Sequence, residues 1–219
     1  MRNRSKVDHV TAPASRARRT GAIEWGVATQ TMAGEADCGD LAVVEPFSGG
    51  VLVGAVDGLG HGSEAAEAAR LAASTLAGRA FEPVVSLVRR CHNALLETRG
   101  VVMSLASFNS ADSTITWTGV GNVTAMLLRV GPSDHSRRNS LLLRGGVVGF
   151  QLPALSEYVL AVAPGDTLLL ATDGVRPDFA EGLVLGPPPQ ELAERILAQH
   201  LKGSDDALVL VAQFLESAA

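Results

Sequence analysis

Four aspartates set the problem: Asp40, Asp57, Asp173 and Asp205 each stand at the end of a short apolar run, and Asp57 and Asp173 are followed directly by glycine. Val51 to Val56 is uncharged and rich in β-branched residues, which fits a strand buried on both faces with Asp57 where it emerges. Leu168 to Ala171 repeats the pattern ahead of Thr172-Asp173-Gly174. Ser204-Asp205-Asp206 reverses it, with the acids preceding the apolar run Ala207 to Val211. Carboxylates gathered within about 4 to 6 Å raise one another's pKa values and weaken the fold unless a cation neutralises them. Oxygen-only ligation, with no His or Cys set nearby, suits hard ions such as Mg2+ or Mn2+. Two such ions about 3.5 to 4 Å apart would acidify a shared water and stabilise both attacking and leaving oxygens of an in-line displacement at phosphorus. The chemistry this implies is phosphomonoester hydrolysis without a covalent intermediate. A single Asp-Gly is an ordinary turn; four carboxylates at four strand ends form a pattern.

Those aspartates need a scaffold that brings strand ends together. Ile23 to Thr29 alternates with β-formers and reads as a first strand; Leu41 to Val44 and Val51 to Val56 flank the turn Phe47-Ser48-Gly49-Gly50 and read as a hairpin. In that hairpin Asp40 and Asp57 lie side by side. Gly58, Gly60 and Gly62 then allow a tight turn in which backbone carbonyls approach whatever Asp57 holds. Ala65, Ala68, Ala69, Ala72 and Leu76 recur at helical spacing up to Gly78. Val84, Leu87, Val88, Cys91 and Leu95 make a second apolar stripe between Pro83 and Gly100. Six short strands follow, over 101–108, 114–118, 124–130, 140–143, 158–162 and 167–171, with 131–139 a polar surface loop. A helix after Pro187-Pro188-Pro189 buries Leu192, Ala193, Ile196, Leu197 and Leu201, and the strand 207–211 closes the chain. Runs of strands with helices inserted in blocks predict an α+β fold of two packed antiparallel sheets flanked by helices, since a doubly wound sheet would alternate the two throughout.

The chain has 219 residues, 47% hydrophobic and 19% charged, enough for one compact domain. The net charge of −5 conceals an asymmetry: the first twenty residues carry six basic residues and one acid, and the remainder carries 12 basic against 22 acidic. Residues 1–20, with no aromatic residue, read as a flexible basic leader, and 21–219 as a single domain. The leader offers no nucleic-acid signature beyond its charge. No apolar run spans a bilayer and no secretory h-region follows the basic residues, so a cytoplasmic protein without a membrane partner is expected, with a monomer favoured. Cys38 and Cys91 have neither CxxC nor zinc spacing and read as free thiols.

In this order, the motifs Cys38-Gly39-Asp40, Val56-Asp57-Gly58-Leu59-Gly60-His61-Gly62, Gly119-Val120-Gly121-Asn122, Ala171-Thr172-Asp173-Gly174-Val175 and Ser204-Asp205-Asp206-Ala207 resemble those of the PPM-type metal-dependent Ser/Thr protein phosphatases, in their short bacterial SpoIIE/RsbU/RsbX branch. The resemblance covers about residues 23 to 215. It implies a β-sandwich between helical layers with a dimetal centre at one end. By position, Asp40 and Asp57 would hold metal, the Gly58 carbonyl would add a ligand, and Asp173 and Asp205 would complete the site around two Mn2+ or Mg2+ ions. Asp57 would bridge both ions. The implied substrate is a phosphoserine or phosphothreonine on a STAS-domain regulator of a bacterial stressosome-type signalling complex. With no built-in sensor in view, the chain looks like a free-standing catalytic domain.

Several residues fit less directly. Larger relatives grip phosphate with an N-terminal arginine, whereas here the basic residues nearest Asp40 in sequence are Arg19 and Arg70, so phosphate is expected to rest mainly on the metals. Glu97 stands where longer relatives place a ligand for a third metal, but it closes a helix pattern like a solvated charge. Asp206 is read as orienting the site; Glu35 and Asp37 precede Asp40 as supporting or merely exposed acids. His61, in the glycine-rich turn, is a candidate general acid for the leaving seryl oxygen, set against a simple capping role. Two other classes compete. A dinucleotide-binding turn is disfavoured, since Ser63 replaces the third glycine and Asp57 would repel a pyrophosphate. A non-catalytic phosphoprotein-binding module of the same fold is the more serious alternative, although it would not require all four carboxylates.

Overall fold

A computed structural model describes residues 18–130 and 138–215. The strands are β1 (Arg18–Thr20), β2 (Ile23–Gln30), β3 (Asp40–Phe47), β4 (Gly50–Gly58), β5 (Val101–Asn109), β6 (Thr114–Val120), β7 (Thr124–Leu128), β8 (Arg138–Ser140), β9 (Tyr158–Ala161), β10 (Thr167–Ala171) and β11 (Ala207–Phe214). The helices are α1 (Ser63–Leu76), α2 (Val84–Ala94) and α3 (Pro189–His200), with a 3-10 turn at Pro177–Ala180. The strands form two antiparallel sheets, one in the order β1-β2-β11-β10-β7-β8 and the other β3-β4-β5-β6-β9. The expected α+β sandwich is what the chain adopts.

Three apolar layers hold it. Between the sheets lie Ile23, Val53, Phe108, Trp117, Leu127, Leu168, Leu210 and Phe214, all buried, with Phe108 and Phe214 stacked at a centroid distance of 6.0 Å. On the outer face of the β3–β9 sheet, α1 and α2 bury Ala68, Ala69, Ala72, Leu76, Leu87, Val88 and Cys91 against Val56, Met103 and Leu105. On the other outer face α3 covers Val209, Val211 and Leu169 with Leu192, Ala193 and Ile196. β4 and β11 are therefore apolar on both faces, each sandwiched between a helix layer and the opposite sheet, which is why neither alternates.

The alanine face of α1 sets how closely that helix sits on the end of β4. A Cβ on Gly58 would stand 2.1 Å from the Ala65 carbonyl oxygen, so only glycine lets the helix pack over the turn after Asp57.

Several boundaries differ from the sequence reading, three of them for a reason visible in the contacts. The leader expected to run to residue 20 gives up its last three residues, because Arg18–Thr20 pairs with β2 (Arg18↔Trp25, Thr20↔Ile23), the Arg18 guanidinium lies 5.1 Å from the Trp25 ring centroid, and the Trp25 indole N–H donates to Thr20 Oγ1 at 2.9 Å. Residues 1–17, the rest of that leader, lie outside the described residues. The second helix stops at Ala94, where Thr98 Oγ1 donates to the Leu95 carbonyl and accepts from Gly100 N–H, turning the chain before Gly100. In the polar segment, 138–140 pairs with β7 and 141–143 does not continue the strand; 131–137 lie outside the described residues.

Candidate metal centre

Strand pairing brings the aspartates to one edge. In the β3–β4 hairpin Asp40 faces Asp57 directly, and Gly58 N–H donates to the Gly39 carbonyl at 3.0 Å. In the other sheet Ala171 is paired with both Val209 and Thr124, so the end of β10, the start of β11 and the start of β7 coincide. Asp173, two residues past β10, Asp205, two residues before β11, and Asn122, two residues before β7, thus lie at the same end. A cleft of about 400 Å3 opens there, lined by Asp57, Asp173, Asp205, Asn122 and the small residues Gly60, Gly121, Gly145 and Gly146.

Asp40 lies behind this lining. It is buried, 7% exposed, and its Oδ2 accepts a 2.6 Å hydrogen bond from Thr172 Oγ1, which in turn accepts from Leu208 N–H at 2.8 Å. One hydroxyl thereby ties the first carboxylate of one sheet to two strands of the other. Asp173 Oδ2 accepts from Asn122 Nδ2 at 2.8 Å, and Lys202 Nζ donates to the Asp173 carbonyl at 2.5 Å. Asp205 Oδ1 accepts from Asp206 N–H at 2.9 Å. Asp206 itself is buried and turned away from the cleft: its Oδ1 accepts from Met32 N–H at 2.8 Å and its Oδ2 from Gly39 N–H at 2.7 Å, clamping both ends of the loop before Asp40.

Burial and like charge set the electrostatics of these aspartates. Burial, then the charges of Asp40, Asp173, Asp205 and Asp206, push the Asp57 carboxyl up to about 9. Burial also lifts Asp40 to about 7, with the Thr172 hydrogen bond working against it and the neighbouring aspartates adding to it. Groups held this far above the ordinary carboxylate range gain from a cation, because each then keeps its charge at neutral pH with a partner. Among the described residues no three His, Cys, Asp or Glu side chains form a ready ligand set around a single point. The donors nonetheless fit divalent hard ions in kind and in charge: all are oxygens, several are already oriented by hydrogen bonds, and Asp57, Asp173 and Asp205 share one cleft with Asp40 behind it.

The other candidates fall around this centre. His61 is exposed, one residue beyond the cleft-lining Gly60, and its Nδ1 lies 2.6 Å from Glu35 Oε1. Asp37 is paired with Arg70 at 3.8 Å on the surface. Glu97 is exposed in the turn after α2, away from the cleft lining. Folding does bring an arginine to the rim: Arg99, 39 residues from Gly60 in sequence, is paired with Glu64, and its Nη1 comes within 2.9 Å of where a Cβ on Gly60 would be. Cys38 and Cys91 are free thiols, both pushed up to about 12, chiefly by burial, and neither is a nucleophile at neutral pH. Thr172 and Asn122 were visible in the motifs, yet nothing in one dimension showed that their side chains hold Asp40 and Asp173.

A sequence profile for Stage II sporulation protein E (SpoIIE) matches residues 48–215. The chain belongs to the SpoIIE family. Its fold is that of PP2C-type phosphatase domains. This SpoIIE-family chain is 25% identical, over 184 residues, to the phosphoserine phosphatase RsbX of Bacillus subtilis (strain 168), covering 82% of this chain and 89% of RsbX. A crystal structure of RsbX in complex with magnesium superposes with a TM-score of 0.80 at 24% identity, over 91% of this chain and 98% of that one. A solved chain from work on the bacterial stressosome, described as a modular system adapted to control secondary messenger signalling, is 28% identical with a TM-score of 0.77, over 87% and 99% of the two chains. Among the described residues no helix is long and apolar enough to cross a membrane.

Proposed function

We propose that this protein removes phosphate from phosphoserine or phosphothreonine on a STAS-domain regulator of a stressosome-type signalling assembly, using two Mn2+ or Mg2+ ions. The observation that carries the reading is the register pairing of Asp40 with Asp57 at the same edge as Asp173 and Asp205, with Asp40 and Asp57 both lifted far above the ordinary carboxylate range. The likeness to RsbX and to the stressosome chain supports the substrate class.

In this mechanism Asp40, Asp57, the Gly58 carbonyl, Asp173 and Asp205 would hold the ions. When bound, divalent ions supply an acidified water and neutralise charge developing on the phosphoryl oxygens. The chain's own residues fix the geometry. Thr172 fixes the Asp40 carboxylate through Oδ2, Asn122 fixes that of Asp173 through Oδ2, and Asp206 pins both ends of the loop before Asp40. Asp57 lines the cleft in which the attacking water would approach phosphorus, and His61 would give the leaving seryl oxygen its proton. Serine alkoxide is a poor leaving group, so a proton donor is needed where the P–O bond breaks.

The test pairs two measurements on the full chain. With Mn2+ or Mg2+ the protein should release phosphate from a phosphoserine protein, and EDTA should abolish this. Asp57→Asn should remove nearly all turnover while leaving the chain folded. Wild-type turnover by Asp57→Asn would sink the dimetal assignment; binding of phosphoprotein without turnover under any divalent ion would favour a non-catalytic binding module instead.

A further inference from the structure

The loop between β2 and β3 is pinned at both ends by one buried carboxylate. Asp206 accepts the N–H groups of Met32 and Gly39, so the residues between them are held as a unit. A turn closed by Glu35 N–H donating to the Met32 carbonyl at 3.1 Å directs Glu35 outward. Its side chain meets the glycine-rich turn after β4. Glu35 Oε1 lies 2.6 Å from His61 Nδ1, and Oε2 occupies the space beside Gly62, 2.7 Å from where a Cβ would stand. Gly62 also has φ +77°, a conformation that glycine adopts without strain. Both the empty Cβ position and the backbone of Gly62 are therefore what admits the carboxylate to the imidazole.

A carboxylate has no proton to give, so the short contact is His61 Nδ1–H donating to Glu35. That bond settles the ring orientation and leaves Nε2 on the opposite side of the imidazole.

We infer that Glu35 is a positioning residue for the phosphatase reaction, forming with His61 a carboxylate–imidazole pair that delivers a proton to the leaving seryl or threonyl oxygen. The inference rests on the phosphatase reading above. As the water oxygen bonds to phosphorus and the phosphorus–Oγ bond breaks, the electron pair of that bond goes to Oγ, and the Nε2 proton of His61 follows it. The products are the free hydroxyl side chain, inorganic phosphate and a neutral imidazole that still donates Nδ1–H to Glu35 and regains its Nε2 proton from solvent. Glu35 never touches the substrate; it acts through the ring.

Leaving-group dependence separates this role from a structural one. A seryl oxygen must be protonated as it leaves, whereas p-nitrophenolate departs as a stabilised anion and gains little from an acid. Glu35→Gln and His61→Asn in the full chain, with Mn2+, are assayed on a phosphoserine protein and on p-nitrophenyl phosphate. The expected result is a loss of kcat on phosphoserine roughly tenfold or more greater than the loss on p-nitrophenyl phosphate, with KM little moved, and a double variant no worse than His61→Asn alone. Glu35→Asp, which keeps the charge, should recover part of the loss, and thermal melting of each variant reports its fold. Equal losses on the two esters, or undiminished turnover of phosphoserine by Glu35→Gln, overturn the inference while leaving the phosphatase reading standing. A wild type that hydrolyses neither ester overturns both.

Discussion

Asp40 and Asp57 place a measurable tension in the metal-free protein. Both have folded-state pKa values raised well above 3.8, to about 7 and about 9, so the folded apo protein holds protons that the unfolded chain releases. Stability from these groups is complete below about pH 4 and is lost as pH rises through 7 to 9. The melting temperature in EDTA should therefore decline between pH 5 and pH 9, as a scan at fixed ionic strength would show, and saturating Mn2+ should flatten that decline. Asp57→Asn removes the larger contribution, so its apo form should be at least as stable as wild type at pH 8 while its activity is lost. Thr172 tests the same site from behind. Thr172→Val keeps the shape but leaves an Asp40 oxygen and the Leu208 N–H without their partner, at a cost of about 2 kcal/mol or more. Turnover should fall with it, and Thr172→Ser should restore both, as denaturant melts and phosphate release would register.

At the scale of elements, the aspartate that holds no ion in this scheme controls a loop. Asp206→Ala frees the N–H groups of Met32 and Gly39 together, so hydrogen exchange at those two amides should accelerate by at least tenfold while exchange in β10 and β11 stays slow. Unchanged protection at Met32 and Gly39 would show that the loop is held by other means. How much of this could be read in one dimension follows the range of the interactions. The hairpin that pairs Asp40 with Asp57 was legible, because a turn of four residues joins two apolar strands and fixes which ends meet. The alanine face of α1 and the doubly buried β4 and β11 were legible from composition alone. The short β1 was not, since its basic residues matched the leader's composition and only pairing with Trp25 makes them a strand. Nor was the sheet order, in which β2 pairs with β11 from the far end of the chain while β3 joins the other sheet. The holders of the site were hidden for the same reason: Thr172 is 132 residues from Asp40, Asn122 is 51 from Asp173, and Asp206 is 167 from Gly39.

For the molecule as a whole the question is where binding energy for a phosphoprotein comes from. The cleft is small and lined largely by glycine and aspartate, and the arginine at its rim is already paired with Glu64. Little grip is available at the phosphate beyond the ions, so surface remote from the reacting bond must contribute. The structure offers such a surface beside the cleft. Leu59 N–H donates to the Gly100 carbonyl at 3.1 Å, Leu96 lies in the turn leading to Gly100, and Phe150 follows Gly149, which packs on Leu95; these three apolar side chains are 42%, 59% and 80% exposed. Exposed apolar groups clustered at the mouth of a site suit a folded partner more than a short peptide, because only a partner with its own surface can cover them while presenting its phosphoserine. A folded phosphoprotein substrate should accordingly show a kcat/KM at least tenfold above that of its isolated phosphopeptide. Phe150→Ala should reduce the value for the folded substrate by about tenfold, equivalent to about 1.4 kcal/mol, and leave p-nitrophenyl phosphate hydrolysis as in wild type. Equal kcat/KM for protein and peptide would place recognition in the residues flanking the phosphate and remove the role assigned to this rim.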